Sequence, residues 1–328
     1  MLPEKMRTVE IREFGKADVL EPGSRPLPPL KPDEVLVKVH GAGVNGPDIV
    51  QRRGHYPPPE GASDLLGLEV SGEVVAVGKD VGRWQVGDHL CALTNGGGYA
   101  EYVAIDASHC MNIPETVSVE DAAGLPETFF TVWSNCFYQQ AHATDSIFLV
   151  HGGAGGIGST AIQLGAALGL RVFTTCSGEE DVSYCLSLGA ERAIDYNNED
   201  FVEIVREAGG ANLILDIIGG EYIARNIKAA ATDARIVQLA FNQGFKVELN
   251  LMPIMLKRLV YTGSTLRSRP AAFKSAIAAS VESDVWPLFA AGKLKTATHS
   301  TLTFEQATEA HALMESGGHR GKILLIPA

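Results

Sequence analysis

The residues with the most specific chemistry are His151-Gly152-Gly153-Ala154-Gly155-Gly156-Ile157-Gly158. Gly153, Gly155 and Gly158 fit G-x-G-x-x-G, and Gly156 adds a further small residue. Without Cβ atoms such a turn can be tight, and its backbone can approach a pyrophosphate closely. Free N–H groups at a following helix start would hold the negative charge. Three glycines alone are weak evidence, so the flanks decide. An apolar run, Ile147-Phe148-Leu149-Val150, comes just before, and a helix-forming run, Thr160 to Leu168, just after. A second strand pattern, Arg171 to Thr175, closes a βαβ unit of the expected size. Strand, glycine turn and helix in that order indicate a dinucleotide site rather than a loop that binds nothing. Gly153, Ala154, Gly155, Gly156, Ile157 and Gly158 are therefore candidate cofactor residues.

The elements around this turn form two regions. From about Pro126 the pattern alternates between helix and strand, with strands expected at Ile147 to Val150, Arg171 to Thr175, Arg192 to Ile194, Leu213 to Asp216, Arg235 to Leu239 and Leu259 to Gly263. Helical stretches fall between them, including Ser159 to Leu168, Asp200 to Ala208 and Tyr222 to Ala231. That alternation predicts an α/β fold with a doubly wound parallel sheet over residues 125–264. Residues 1–124 instead show short strands punctuated by Gly and Pro, with Glu34 to Val39, Gly67 to Val77 and Tyr99 to Ile105 as strands. They predict a β-rich, barrel-like domain. The tail, residues 265–328, carries two helical stretches and a final strand, Lys322 to Ile326, and is expected to pack back on that first domain.

Composition narrows the function classes. A hydrophobic fraction of 45% supports sizeable cores. A net charge of −12 with no basic run argues against nucleic acid or an anionic membrane as partner. Cys91, Cys110, Cys136, Cys176 and Cys185 are scattered without a C-x-x-C pair, as expected of reduced thiols. No signal peptide and no membrane span is legible, so the expected location is cytoplasmic.

The cofactor can be narrowed at the end of the second expected strand, where NAD enzymes usually carry an acidic residue. Here the slot falls at Cys176-Ser177 and is neutral, which permits a 2′-phosphate. Ser177-Gly178-Glu179-Glu180 reads as a capping box, S-x-x-E, opening the next helix. NADPH is therefore favoured, and NADH is left open because no Lys or Arg lies in the stretch.

The front half carries further motifs. Gly43-Val44-Asn45-Gly46-Pro47-Asp48, running on to Gly54-His55-Tyr56, resembles the N-x-x-D…Q/R-x-G-x-Y stretch of medium-chain dehydrogenases/reductases. Gly67 to Gly72 resembles their G-x-E-x-x-G, and Val86-Gly87-Asp88 their V-G-D. With Ala154 to Gln163, the chain resembles the zinc-independent quinone oxidoreductases, the zeta-crystallin-like branch. Tyr56 to Ser63, Leu213 to Gly220 and Thr265 to Arg269 look closest to the tumour-suppressor-inducible branch. The resemblance runs from about Val35 to Ile326. It implies a Rossmann cofactor domain beside a GroES-like catalytic domain, a cleft between them, and a homodimer.

The resemblance also bears on metal. Zinc alcohol dehydrogenases of the same superfamily place Cys where Asn45 stands and His where Leu68 stands, leaving only Glu69 of that set. The nine histidines show no pair at metal-ligand spacing, so no metal is expected. Without a Lewis acid the fitting reaction is hydride transfer from a reduced nicotinamide to a ready acceptor, a quinone. The alternatives are an enone, as in enoyl or 2-alkenal reductases, and a non-catalytic, crystallin-like NADPH-binding protein. By resemblance Asn45, Asp48 and Tyr56 are catalytic-site candidates. The competing readings are a turn residue for Asn45, a helix cap for Asp48 and plain packing for Tyr56. Thr131, Ser177, Tyr196, Ala240, Phe241, Asn242, Thr265, Leu266 and Arg267 are implied to line the cofactor. The family's phosphate-binding Lys is replaced by Asp181.

Overall fold

The computed structural model describes residues 2–327. The chain divides into two compact units, one reaching up to Phe130 and resuming at Arg267, the other Thr131–Leu266. These crossings lie a few residues beyond the expected ones. The Leu125–Phe130 segment stays with the first unit because Glu127 N–H donates to Glu69 and the Phe129 ring packs edge-on against Trp286 at 5.4 Å.

In chain order the first unit begins with β1 (Lys5–Ile11) and β2 (Leu20–Pro26), an antiparallel pair that the Pro- and Gly-interrupted sequence did not reveal. Next come β3 (Glu34–Gly43), α1 (Gly46–Arg52), β4 (Glu69–Val77), β5 (His89–Leu93), β6 (Tyr102–Asp106) and β7 (Cys110–Asn112). Helix α2 (Pro126–Val132) leads into the second unit, which alternates β8 (Ile147–His151), α3 (Gly156–Ala167), β9 (Arg171–Cys176), α4 (Gly178–Ser187), β10 (Arg192–Asp195), α5 (Phe201–Glu207), β11 (Ala211–Asp216), α6 (Glu221–Ala229), β12 (Ala230–Gln238), α7 (Met252–Lys257) and β13 (Val260–Gly263). The chain then returns to the first unit through α8 (Ala271–Ser280), α9 (Trp286–Ala290), β14 (Thr298–Thr303), α10 (Ala307–Ser316) and β15 (Lys322–Ile326).

The second unit is the expected doubly wound sheet, with strand order β10-β9-β8-β11-β12-β13 and parallel pairing throughout. All five residues of β8 are buried, which is why its apolar run shows no alternation: helices cover both faces of a central parallel strand. In the first unit the order is β14-β15-β3-β4-β5-β7, with β6 also on β3. β3 is the hub. It pairs with β4 along most of its length, with β6 over Glu34–Lys38 and with β15 at Ala42 and Gly43. The tail thus completes the first unit's sheet, adding a strand, β14, that its mixed polar sequence did not announce. Among the described residues no helix is long and apolar enough to cross a membrane.

A buried ion pair joins these strands. Lys322, the first residue of β15, places Nζ 2.7 Å from Oε1 of Glu69, the first residue of β4, with side-chain exposures of only 7% and 0%. The ammonium also donates to Asn45 Oδ1 at 2.6 Å and Val44 O at 3.2 Å. Asn45 Nδ2 donates to the same Glu69 oxygen at 2.8 Å and to Gly43 O at 3.2 Å, while Glu127 N–H donates to Glu69 Oε2 at 2.8 Å. A buried carboxylate is tolerable only with such partners. Lys322→Ala should therefore lower unfolding stability by about 3–5 kcal/mol in urea titrations, because Glu69 is left buried and unpaired. Lys322→Met combined with Glu69→Gln should lose less than Lys322→Ala alone. Unchanged stability in the single variant would contradict the pairing.

Candidate cofactor cradle and catalytic corner

The glycine turn lies between the end of β8 and the start of α3. Gly152 sits at φ +73°, the left-handed region that favours glycine. Gly152 and Gly153 N–H both donate to Thr175 O, at 3.1 and 3.0 Å, tying the turn to the end of β9. The motif glycines then differ in their tasks. A Cβ on Gly153 would strike the Thr174 hydroxyl, and one on Gly158 would meet Gly153 Cα at 2.6 Å. A Cβ on Gly155 would find only Gly152 O, at 3.8 Å. Gly153 and Gly158 thus let strand, turn and helix close on one another, whereas Gly155 faces open space at the N-cap of twelve-residue α3. The first N–H groups of that helix have no intrahelical acceptor and are free for an anion. Ala154 completes the turn, and Gly156 and Ile157 are the first residues of α3.

His151 packs inside the second unit. Its ring is buried, with Nδ1 3.0 Å from Thr175 Oγ1 and Nε2 2.7 Å from Asn226 Oδ1, and Asn226 in turn donates to Asp216. Burial holds the imidazole below its usual range against the pull of Asp216, so it stays neutral and structural.

The remaining candidates of this unit gather along the carboxyl ends of its strands, where ligands of parallel sheets bind. Ser177 follows β9 and Tyr196 follows β10; the strands pair at Cys176 and Asp195, and Tyr196 N–H donates to Cys176 O at 3.2 Å. Ala240, Phe241 and Asn242 follow β12, with Asn242 N–H reaching Ile217 O after β11. Gln238 Nε2 holds Ala240 O at 2.6 Å, and Tyr261 Oη donates back to Gln238. Thr131 O accepts from Asn135 Nδ2 at 2.9 Å, and Asn135 Oδ1 accepts from Ser264 Oγ, next to Thr265, at 2.9 Å.

The capping box expected at Ser177 is not formed. Ser177 is the N-cap of α4, but its hydroxyl makes no cap hydrogen bond and accepts instead from Asn197 Nδ2 at 3.1 Å. Asp195 takes over the task from the neighbouring strand end. Its carboxylate accepts from Gly178 N–H and Asn197 N–H, and these bonds hold it below the usual carboxylate range. The start of α4 thus carries Glu179, Glu180 and Asp181 in its first turn, with the Asp195 carboxylate beside it.

In the first unit, Asn45 and Asp48 open α1. Asp48 Oδ2 accepts from Asn45 N–H and Oδ1 from Gly67 N–H, both at 2.9 Å, so its carboxylate ties the helix start to the segment before β4. Burial pushes Asp48 up to about 6, against those two hydrogen bonds. The Asn45 amide is shared between Glu69, Gly43 and Lys322. Tyr56, just beyond α1, is half-buried under the guanidinium of Arg267, 5.4 Å from the ring centre. Arg267 is itself buried beside Leu266. It donates Nε and Nη2 to Asn95 O at 3.0 and 2.6 Å and Nη1 to Gln51 Oε1 at 2.7 Å. Its guanidinium thus braces Tyr56 in the first unit and does not stand free as an anion clamp.

Two groups missed from the sequence complete this corner. Buried Lys274 donates to Asn95 Oδ1 at 2.7 Å and Arg267 O at 2.8 Å, and burial lowers its pKa. Glu127 is pushed up to about 8, first by burial and then by Glu69, with Lys322 opposing. Burial and then Glu127 raise the Tyr56 hydroxyl, with Arg267 opposing. The overlooked signal is a lone charge inside an apolar run, Leu125-Pro126-Glu127-Thr128-Phe129-Phe130 and Ala271-Ala272-Phe273-Lys274-Ser275-Ala276. The zinc positions of the superfamily do not fit a metal here. Asn45 is committed to a side-chain network, Leu68 is a buried hydrocarbon, and Glu69 already carries the Lys322 ammonium.

Comparison with known proteins places this geometry. Residues 31–115 match the alcohol dehydrogenase GroES-like domain, and residues 188–325 match the zinc-binding dehydrogenase family. The quinone oxidoreductase of Rattus norvegicus is 27% identical over 332 residues, covering 98% of each chain. The crystal structure of Escherichia coli quinone oxidoreductase complexed with NADPH superposes with a TM-score of 0.88 at 26% identity, over 98% of this chain and all of that one. An NAD-dependent alcohol dehydrogenase structure superposes with a TM-score of 0.87 at 28% identity, over 98% of this chain and 100% of that one.

Two outcomes follow from the geometry. Gly155→Val should leave the melting temperature near that of the unaltered protein yet abolish dinucleotide binding in a fluorescence titration, whereas Gly158→Val should lose stability itself. Retained affinity in Gly155→Val would refute the cradle. The second concerns Glu127, whose carboxyl titrates near its ordinary 4.5 in the unfolded chain and about 8 in the folded one. The folded state binds the extra proton between those values, so this contribution is complete below the unfolded value and is lost as pH rises through the folded one. Glu127→Gln should flatten that decline in urea unfolding between pH 5 and pH 8, roughly the window the two values bound. An unchanged slope would contradict the assignment.

Proposed function

We propose that this chain, which belongs to the medium-chain dehydrogenases/reductases and is an oxidoreductase of that family, passes hydride from NADPH to a quinone without a catalytic metal. The observation that carries this reading is the Lys322 ammonium on Glu69, with Asn45 and Leu68 beside it. A site built this way has no Lewis acid with which to activate an alcohol. It suits an acceptor that needs none, and aromatisation to a hydroquinone supplies the driving force.

The reduced nicotinamide, when bound, supplies the hydride. The chain's residues supply the rest. The open face at Gly155 and the N-terminus of α3 would hold its pyrophosphate. Ser177 and Tyr196 would hold the adenosine end and Ala240 to Asn242 the nicotinamide end, all of them standing after strands of the parallel sheet. Tyr56 keeps its proton because burial raises its hydroxyl, and it offers a flat ring and one donor to the acceptor oxygen. The hydride would bring two electrons and one hydrogen, so a single further proton completes the hydroquinone; it comes from water or from Glu127, whose carboxyl is pushed up to about 8. The resemblance and the NADPH-bound relative support NADPH as donor. The acidic edge formed by Asp195 and Asp181 favours a second reading, NADH.

The test is steady-state oxidation of NADPH and NADH against a panel of quinones, enones and alcohols. The expected result is quinone turnover with hydroquinone as product. Oxidation with enones alone would sink the quinone reading and favour an enoyl reductase, and binding with no turnover would leave a non-catalytic protein. Tyr56→Phe should lower kcat/KM for quinone about tenfold, the worth of one hydrogen bond, while the cofactor Kd is unchanged.

A further inference from the structure

Three ligand-bearing side chains meet on the outer face of the first unit's sheet, away from the positions at which this superfamily holds zinc. His40 lies on β3, Glu73 on β4 and His89 on β5, three neighbouring strands. Glu73 and His89 are direct cross-strand partners. His40 falls where the β3–β4 pairing is irregular, between Val39, opposite Gly72, and Gly41, opposite Ser71. Such an irregularity re-aims a side chain relative to a regular ladder. The two imidazole rings stand 5.7 Å apart at 78°. One ring nitrogen from each histidine and one carboxylate oxygen of Glu73 all lie within 4.8 Å of one another. Val37, Val39 and Val74 fill the core side of these strands, whereas His40 and Glu73 are half-buried and His89 is exposed. The cluster is therefore anchored at its base and open to water above.

We propose that His40, Glu73 and His89 form a binding site for a divalent transition ion of the zinc type. Two imidazoles and one carboxylate are a borderline donor set, matched to zinc, nickel or copper and poorly matched to magnesium or calcium, which take oxygen ligands. With bonds of about 2.0–2.1 Å, tetrahedral ligand atoms stand roughly 3.3 Å apart, so modest side-chain rotation from the present spacing closes the set. Three protein ligands leave a position for water or an added ligand, the arrangement of an open rather than a sealed zinc site. Lys38, opposite Glu73 across the β3–β4 pair, opposes the ion's charge, and Glu120, which acts electrostatically on His40, favours it. The ion would clip together β3, β4 and β5 at a point separate from the Glu69–Lys322 pair. The spacing of His40 and His89 in sequence gives no hint of this, because the pairing exists only across strands.

The test uses the full chain without an affinity tag, stripped with chelator and titrated with zinc chloride by calorimetry. One equivalent should bind, and the ion should raise the melting temperature. His89→Ala and Glu73→Gln should each weaken binding at least about tenfold, a loss already typical of removing an outer-shell partner. Both should melt as the unaltered protein does when metal is absent. Excess magnesium should not compete. His299→Ala, taken from the other histidine pair, whose rings stand 6.4 Å apart at His299 and His319, should leave the affinity intact. Failure of the unaltered protein to bind one equivalent, or equal affinity in His89→Ala and Glu73→Gln, would overturn the site. Loss in His299→Ala with retention in His89→Ala would do the same.

Discussion

The buried carboxylate of Glu69 is the constraint on which the first unit depends. It receives Lys322 from the last strand, the Asn45 amide from the end of β3 and the Glu127 N–H from the start of α2. A charge taken out of water must be met on all sides or it destabilises the fold by several kcal/mol. Meeting it here draws three distant segments of sequence to one point. Because Asn45 is fixed, α1 starts where it does, with Asp48 accepting from Asn45 and Gly67. Because α1 is fixed, Gln51 can hold Arg267, and Arg267 can brace Tyr56. The same ammonium that satisfies Glu69 occupies the one superfamily zinc ligand left in the chain. A single ion pair thus organises the packing of the strands on which the candidate site residues sit.

The second unit depends on a different economy, in which absent atoms matter. Gly153 and Gly158 are required by contact, since a methyl group at either would collide with Thr174 or with the turn itself. Gly155 has room, so its small size is of use only to something that approaches from outside. That difference separates the glycines the fold needs, Gly153 and Gly158, from Gly155, which leaves the turn an open face. At the carboxyl end of the neighbouring strand, the Asp195 carboxylate is fixed by backbone N–H groups and lies close to the start of α4.

Much of this was legible in the sequence. The alternation of strand and helix patterns matched all six strands of the parallel sheet, and the final strand, Lys322–Ile326, is found at its expected bounds; central strands such as β8 and β15 are legible because buried strands need continuous apolar runs, while β13 is exposed at the sheet edge. The glycine turn was legible because its steric demand falls on adjacent residues. What escaped was whatever depends on partners far apart in the chain. Asp195 caps α4 from another strand, displacing the Ser177 cap that local spacing suggested. Glu127 and Lys274 look like ordinary helix charges until burial shifts their protonation. Asn45 and Asp48 were singled out by motif, but which of their atoms face neighbours is set by β4 and β15. β14 went unseen because its Thr- and Ser-rich sequence is half exposed at the sheet edge.

The central claim is that a reduced nicotinamide held by the second unit reduces a quinone without a metal. An anaerobic single-turnover experiment tests it most directly. Chelator-stripped protein loaded with one equivalent of NADPH is mixed with excess quinone, and nicotinamide loss and hydroquinone formation are followed together. The account predicts one hydroquinone formed per NADPH consumed, at the same rate with chelator present or absent. Consumption that stops in chelator and returns with zinc, or NADPH that persists in the presence of quinone, would contradict it.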